Sequence, residues 1–149
     1  MLTFQIIQHI NLIRLKHGAC PLQENEHLNE LAQTFANNMA KYLYFNSKPF
    51  KGYGILHNAL THSDLTKVVS NWYSGRRFYS YNLNYKIPMA KDFTQMVWKS
   101  SSFIGVGVGR RAKYFYVVAF IYPKGNIKDH FNRNVFEKEI SWKKLAQIS

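Results

Sequence analysis

Seven apolar residues, Leu28, Leu31, Ala32, Phe35, Ala36, Met39 and Leu43, fall on a single helical template. Recurrence at i, i+3, i+4 and i+7 marks a helix with one face against a core, and this is the strongest periodicity in the chain. Asn25 is placed to cap it, with Glu26 in the first turn against the helix dipole. The small Ala32 and Ala36 predict close packing. Phe103 to Gly109 carries the complementary signal, glycine alternating with branched residues. Either something packs tightly over the glycine face or the strand bends there. No helix pattern follows this G-x-G-x-G run, so it is not a nucleotide-binding fingerprint.

The remaining elements read as follows. A first helix over residues 3–17 has Phe4, Ile7, Ile10 and Leu15 on one face, Ile6 and Ile13 broadening it, and Gly18 ending it. Ser63 is the expected cap of a third helix carrying Leu65, Val68, Val69, Trp72 and Tyr73 and closing at Gly75. A fourth spans about residues 91–99, with Phe93, Met96 and Val97 on its apolar face and Thr94 and Gln95 directed elsewhere, toward a cleft. Trp98 is expected to be buried where its N–H finds a partner. Gly54 to Leu56 reads as a short strand. Tyr114 to Tyr122 pairs back on the glycine strand as a hairpin across the basic turn Arg110–Lys113. Phe78 to Met89 reads as a loop, and residues 137–149 as a tail with a short amphipathic helix. Helices before and between strands, with a late hairpin, argue an α+β domain over residues 1–136.

At 149 residues, 46% hydrophobic and 16% aromatic, the chain supports one domain with a substantial core. No run approaches the roughly 18–20 apolar residues of a membrane span. The first ten residues lack a basic n-region, and Leu2 is not the glycine that N-myristoylation requires. The lone cysteine, Cys20, excludes an intrachain disulfide and favours a reducing compartment. Between residues 31 and 128 the only acids are Asp64 and Asp92, and this region carries the whole net charge of +12. Such a field attracts phosphate-bearing surfaces, whether lipid or nucleic acid.

Five motifs in order resemble the CAP superfamily (cysteine-rich secretory proteins, antigen 5, pathogenesis-related 1). They are N-L-I-R-L-K-H-G-A-C-P-L from Asn11 to Leu22, Leu31-Ala32-Gln33 within the second helix, Trp72-Tyr73-Ser74, Phe93-Thr94-Gln95-Met96-Val97-Trp98, and Tyr122-Pro123-Lys124-Gly125-Asn126. Without cystines, the chain looks most like the Golgi-associated plant pathogenesis-related branch. The resemblance implies a three-layer α-β-α sandwich with a central antiparallel sheet. It also implies an intracellular protein on the cytoplasmic face of endomembranes such as the Golgi, or an extracellular one if a signal peptide is missing from this chain. Sterol or fatty-acid binding and homodimerisation come with the family.

The family's cleft is built on two His and two Glu, a set able to hold zinc. Carried over by position, these slots fall on Asn46, Ile55, Gly75 and Asp92. The expected cleft is therefore degenerate, without metal or cofactor, with His57, Thr94 and Gln95 as neighbours. A loop-length shift would put His57 in place of Ile55. The leading expectation is a non-enzymatic binding domain, peripheral on anionic membranes through Lys48, Lys51, Arg76, Arg77, Arg110, Arg111 and Lys113. The alternatives are a residual hydrolase using Asp92, His57 and Asn46, and nucleic-acid binding through the aromatic and basic residues 73–86, which the sequence disfavours.

Overall fold

The computed structural model describes residues 2–44 and 46–138. Four α-helices and a four-stranded sheet are found among them. The helices are α1 (Leu2–Lys16), α2 (Glu26–Tyr42), α3 (Val68–Tyr73) and α4 (Lys91–Met96). The strands are β1 (Gln23–Glu24), β2 (Gly54–Thr61), β3 (Phe103–Arg111) and β4 (Tyr114–Tyr122). The sheet order is β1-β3-β4-β2. β2, β4 and β3 are antiparallel, as expected, but the two-residue β1 joins β3 in parallel, so the sheet is mixed. The expected C-terminal helix lies outside the described residues.

The layering follows from β3. Its branched residues Ile104 and Val106 face one core with α1, α3 and α4. Its glycines face α2, whose backbone lies directly over them. A Cβ at Gly105 would collide with Leu28–Asn29, one at Gly107 with Ala32–Gln33, and one at Gly109 with Ala36. The match is geometric. Four helical residues rise about 6 Å and two strand residues about 6.7 Å, so glycines at every second position meet successive turns of an aligned helix. Leu28, Phe35 and Met39 then fill a second core with Val118 and Phe120. The result is the three-layer sandwich, with α2 as the one α-helix on that face among the described residues.

Asn25 caps α2 as expected, its side chain accepting from Leu28 N–H at 3.0 Å. The far end differs. Leu43 is the left-handed C-cap residue, with φ 55°, and is 61% exposed rather than part of the buried face. Leu31 is only partly buried.

On α1 the predicted face is rotated. Phe4 and Leu15 are exposed, and the buried set is Ile6, Ile7, Ile10, Ile13 and Arg14. The Arg14 guanidinium donates to four carbonyls: Cys20 (2.7 Å), Trp98 (2.9 Å), Met96 (3.0 Å) and Ser101 (3.1 Å). Burial lowers its pKa to about 10, so it remains charged at neutral pH. Three of the four, to Met96, Trp98 and Ser101, tie α1 to the end of α4 and the turn after it.

Ser63 does not cap a helix. Residues His62–Lys67 form a 3-10 turn leading into α3. α4 ends at Met96, short of the expected 99. β2 runs for eight residues rather than three, paired with β4 along its whole length. Its polar His57 and Asn58 hid that length from an alternation test.

Candidate functional site

β2 and α4 set opposite walls of an open cleft of about 400 Å3. Gly54, Ile55 and His57 come from β2. Asp92 and Gln95 come from α4, and Lys124 and Asn126 from the segment after β4. Gln95 braces the site rather than offering itself to solvent. Its Oε1 accepts from Gly125 N–H at 2.9 Å and its Nε2 donates to Ser101 Oγ at 3.3 Å. Gly54 has no side chain because the Gln95 amide occupies that space. Thr94 is fully buried, with its hydroxyl against Ala90 O, Lys91 O and Asn126 Oδ1. The Gln and Thr of the fourth-helix motif thus hold the Gly125-Asn126 turn in place.

The four expected slots do not converge on one site. Ile55 and Asp92 line the cleft. Asn46 lines a neighbouring groove with Tyr42, Tyr44 and Phe50, and its Oδ1 accepts from Lys48 N–H at 3.1 Å. Gly75 is buried against the backbone of Met89 and Ala90. His57 does reach the cleft. Burial lowers its pKa against the pull of Asp92, and Lys91 lowers it further. Burial raises the Asp92 pKa, against Lys91 and His57. Both groups are thereby biased toward their neutral forms. Among the described residues, no group of three or more His, Cys, Asp or Glu is arranged to hold a metal ion.

The seven predicted cations fall in three places. Lys48 and Lys51 are on the cleft. Arg76 and Arg77 sit on the 3-10 turn Ser74–Phe78, over the rings of Tyr73 and Phe78. Arg110, Arg111 and Lys113 are at the β3–β4 tip. There Arg111 Nη1 donates to the carbonyls of Ala40 (3.3 Å) and Lys41 (2.9 Å), at the negative end of the α2 dipole. Lys86, Lys91 and Lys124 also line the cleft and were not singled out from the sequence. Lys124 lies within the fifth motif, and Lys91 stands two residues before the fourth. The exposed trio Tyr42, Leu43 and Tyr44 was likewise missed.

This architecture, with Thr94 and Gln95 of the fourth motif bracing its cleft, is that of a known family. The chain belongs to CAP, the cysteine-rich secretory protein family, whose model matches residues 7–122. It is 27% identical over 141 residues to the human Golgi-associated plant pathogenesis-related protein 1, covering 91% of this chain and 90% of that protein. Among solved structures, Schistosoma mansoni venom allergen-like protein 4 superposes with a TM-score of 0.68 at 17% identity, over 95% of this chain and 97% of that one. The crystal structure of NaASP2 with Zn2+ gives 0.69 at 17% identity, over 93% and 86%.

Proposed function

We propose that this protein is a non-enzymatic CAP-domain binding protein that attaches to anionic membranes through the hairpin end of its sandwich. One observation carries the reading. Arg111 ties the β3–β4 tip to the end of α2. Arg111, on the same hairpin tip as Arg110 and Lys113, therefore stands beside Lys41, and the exposed Tyr42, Leu43 and Tyr44 follow Lys41 directly in the chain. Cations beside amphipathic aromatics suit a headgroup layer, with the charges at phosphate level and the rings at the apolar boundary. Each cation near an anionic surface contributes about 1 kcal/mol. No helix among the described residues is long and apolar enough to cross a membrane. The Golgi-associated human relative supports an endomembrane location. The non-enzymatic reading rests on the cleft, which offers one carboxylate and one imidazole among its described lining residues.

The test is vesicle co-sedimentation with neutral phosphatidylcholine and with phosphatidylserine-containing vesicles across a salt series, with DNA at matched salt as a control. Binding should require the anionic lipid and weaken as salt rises. Replacing Arg110, Arg111 and Lys113 by Ala should cost up to about 3 kcal/mol, and replacing Tyr42, Leu43 and Tyr44 by Ser should weaken binding further. Equal affinity for both vesicle types, or full binding by both variants, would overturn the reading.

A further inference from the structure

We propose that the cleft between β2 and α4 is a binding site for a compact ligand carrying two or more phosphate groups. Five lysines line it, Lys48, Lys51, Lys86, Lys91 and Lys124, from four separate segments of the chain. The one carboxylate among the described lining residues is Asp92. Five lysines on the lining of one concavity give it a positive potential, and a bound polyanion is attracted to it. Among the described residues the one Lys–carboxylate ion pair is Lys67–Asp64, on the 3-10 turn before α3, so no such pair there neutralises a cleft lysine.

On the floor, Asp92 is one acid against five lysines, so the lining keeps a net positive charge. Burial raises the Asp92 pKa, and a bound anion would raise it further. His57 beside it can take up a proton when an anion arrives, reversing the effect of burial. Lysine suits this ligand class, because a compact, strongly hydrated ammonium meets phosphate as a point charge from several directions. The volume, about 400 Å3, lies in the small-molecule range. The walls are not adaptable loops alone: Gln95 fixes Gly125 and closes over Gly54. The shared chemistry fits a soluble polyphosphate or the phosphorylated headgroup of a lipid.

This site is separate from the hairpin surface. Gly54, at the cleft, pairs with Ile121, whereas Thr61, seven residues on, pairs with Tyr114 at the tip. A strand of that length spans about 23 Å. The two surfaces can be mutated independently.

Titrate the protein with inorganic tripolyphosphate by calorimetry, with sodium sulfate at equal ionic strength as control. The expected result is saturable one-to-one binding, at least tenfold weaker in Lys91→Ala/Lys124→Ala and unchanged in Arg110→Ala/Lys113→Ala. A parallel arm measures binding to vesicles containing phosphatidic acid, with tripolyphosphate as competitor. Loss of vesicle binding in the cleft variant, together with competition, assigns the site to a lipid headgroup. Soluble binding with vesicle binding untouched assigns it to a free phosphate ligand. Unsaturable uptake, or equal weakening by the hairpin and cleft variants, means diffuse charge attraction and overturns the site. Because the cleft lysines are exposed, both variants should melt with the wild type, so a loss reads binding and not folding.

Discussion

Gln33 clasps Val108 at the edge of the sheet: its Oε1 accepts from Val108 N–H at 3.1 Å and its Nε2 donates to Val108 C=O at 2.7 Å. One turn earlier, Asn29 Oδ1 accepts from Val106 N–H at 2.9 Å. β1 covers only Phe103 and Ile104 of β3. Beyond it, two amides from α2 take the place of a missing strand. An open edge is a template for pairing with another chain, and here the helix occupies it. Gln33→Ala should cost about 1–2 kcal/mol in chemical denaturation and raise the tendency to aggregate on partial unfolding. Gln33→Glu keeps the acceptor and loses the donor, so it should recover part of the loss. Both variants unfolding like the wild type would show that the clasp contributes nothing.

The same seam predicts the cost of a single methyl group. Gly107 lies under the backbone of Ala32–Gln33, which cannot swing aside as a side-chain tip can. Gly107→Ala should therefore destabilise by about 1–3 kcal/mol or more. Gly52 has open space around its Cβ position, and Gly52→Ala should be neutral within about 0.5 kcal/mol. Comparing the two melting curves separates overpacking from the general effect of replacing glycine.

This seam was legible because both halves of it are local patterns, a 3.6-residue apolar period and a two-residue glycine period. The sandwich itself came from five motifs in order. The face of α1 was misjudged for a physical reason. Arg14 reads as polar, yet it is fully buried, because its carbonyl partners Met96, Trp98 and Ser101 lie more than 80 residues away. Leu43 was misplaced because an apolar residue in helical phase can still be the left-handed residue that ends the helix. Of the candidate site, Asp92 and His57 could be named in advance. The ring of lysines could not, because Lys86, Lys91 and Lys124 come together with Lys48 and Lys51 only after folding.

His17 gives the fold an acid-sensitive joint. It is fully buried, with Nδ1 2.8 Å from Phe136 O and Nε2 2.8 Å from Tyr73 Oη. A carbonyl only accepts, so Nδ1 carries the proton and Nε2 accepts from the Tyr73 hydroxyl. Burial lowers the His17 pKa; the Phe136 carbonyl opposes this, and Arg76, Lys138 and Lys16 lower it further. The folded state thus binds the second proton less tightly than the unfolded chain. Its contribution is complete above the ordinary imidazole value of 6.5 and is lost as pH falls through the lowered one. Stability measured by denaturation should fall from about pH 7 to about pH 5, and His17→Gln should flatten that slope while lowering stability throughout. An unchanged slope in the variant would assign the acid sensitivity to another group.

Zinc should not bind tightly in the cleft. A protein zinc site wants about three or four N, S or O donors in defined geometry. Of the four slots the family resemblance nominates, Ile55 is apolar, Asn46 lies in the neighbouring groove, and Gly75 has no side chain. Asp92 and His57 remain, inside a ring of five lysines that raises the cost of a divalent cation. A single substitution would not install a ligand at Gly75. A Cβ there would stand 2.6 Å from Met89 O and 3.0 Å from Ala90 Cα, both backbone atoms. Gly75→Glu should therefore destabilise the fold instead of adding a ligand, and Asp92→His alone should leave zinc affinity weak. Calorimetry at about pH 7, where His57 is neutral and able to ligate, checks all three proteins. Tight one-to-one zinc binding by the wild type, abolished in Asp92→Ala, would mean that Asp92 and His57 recruit further ligands beyond those that line the cleft here.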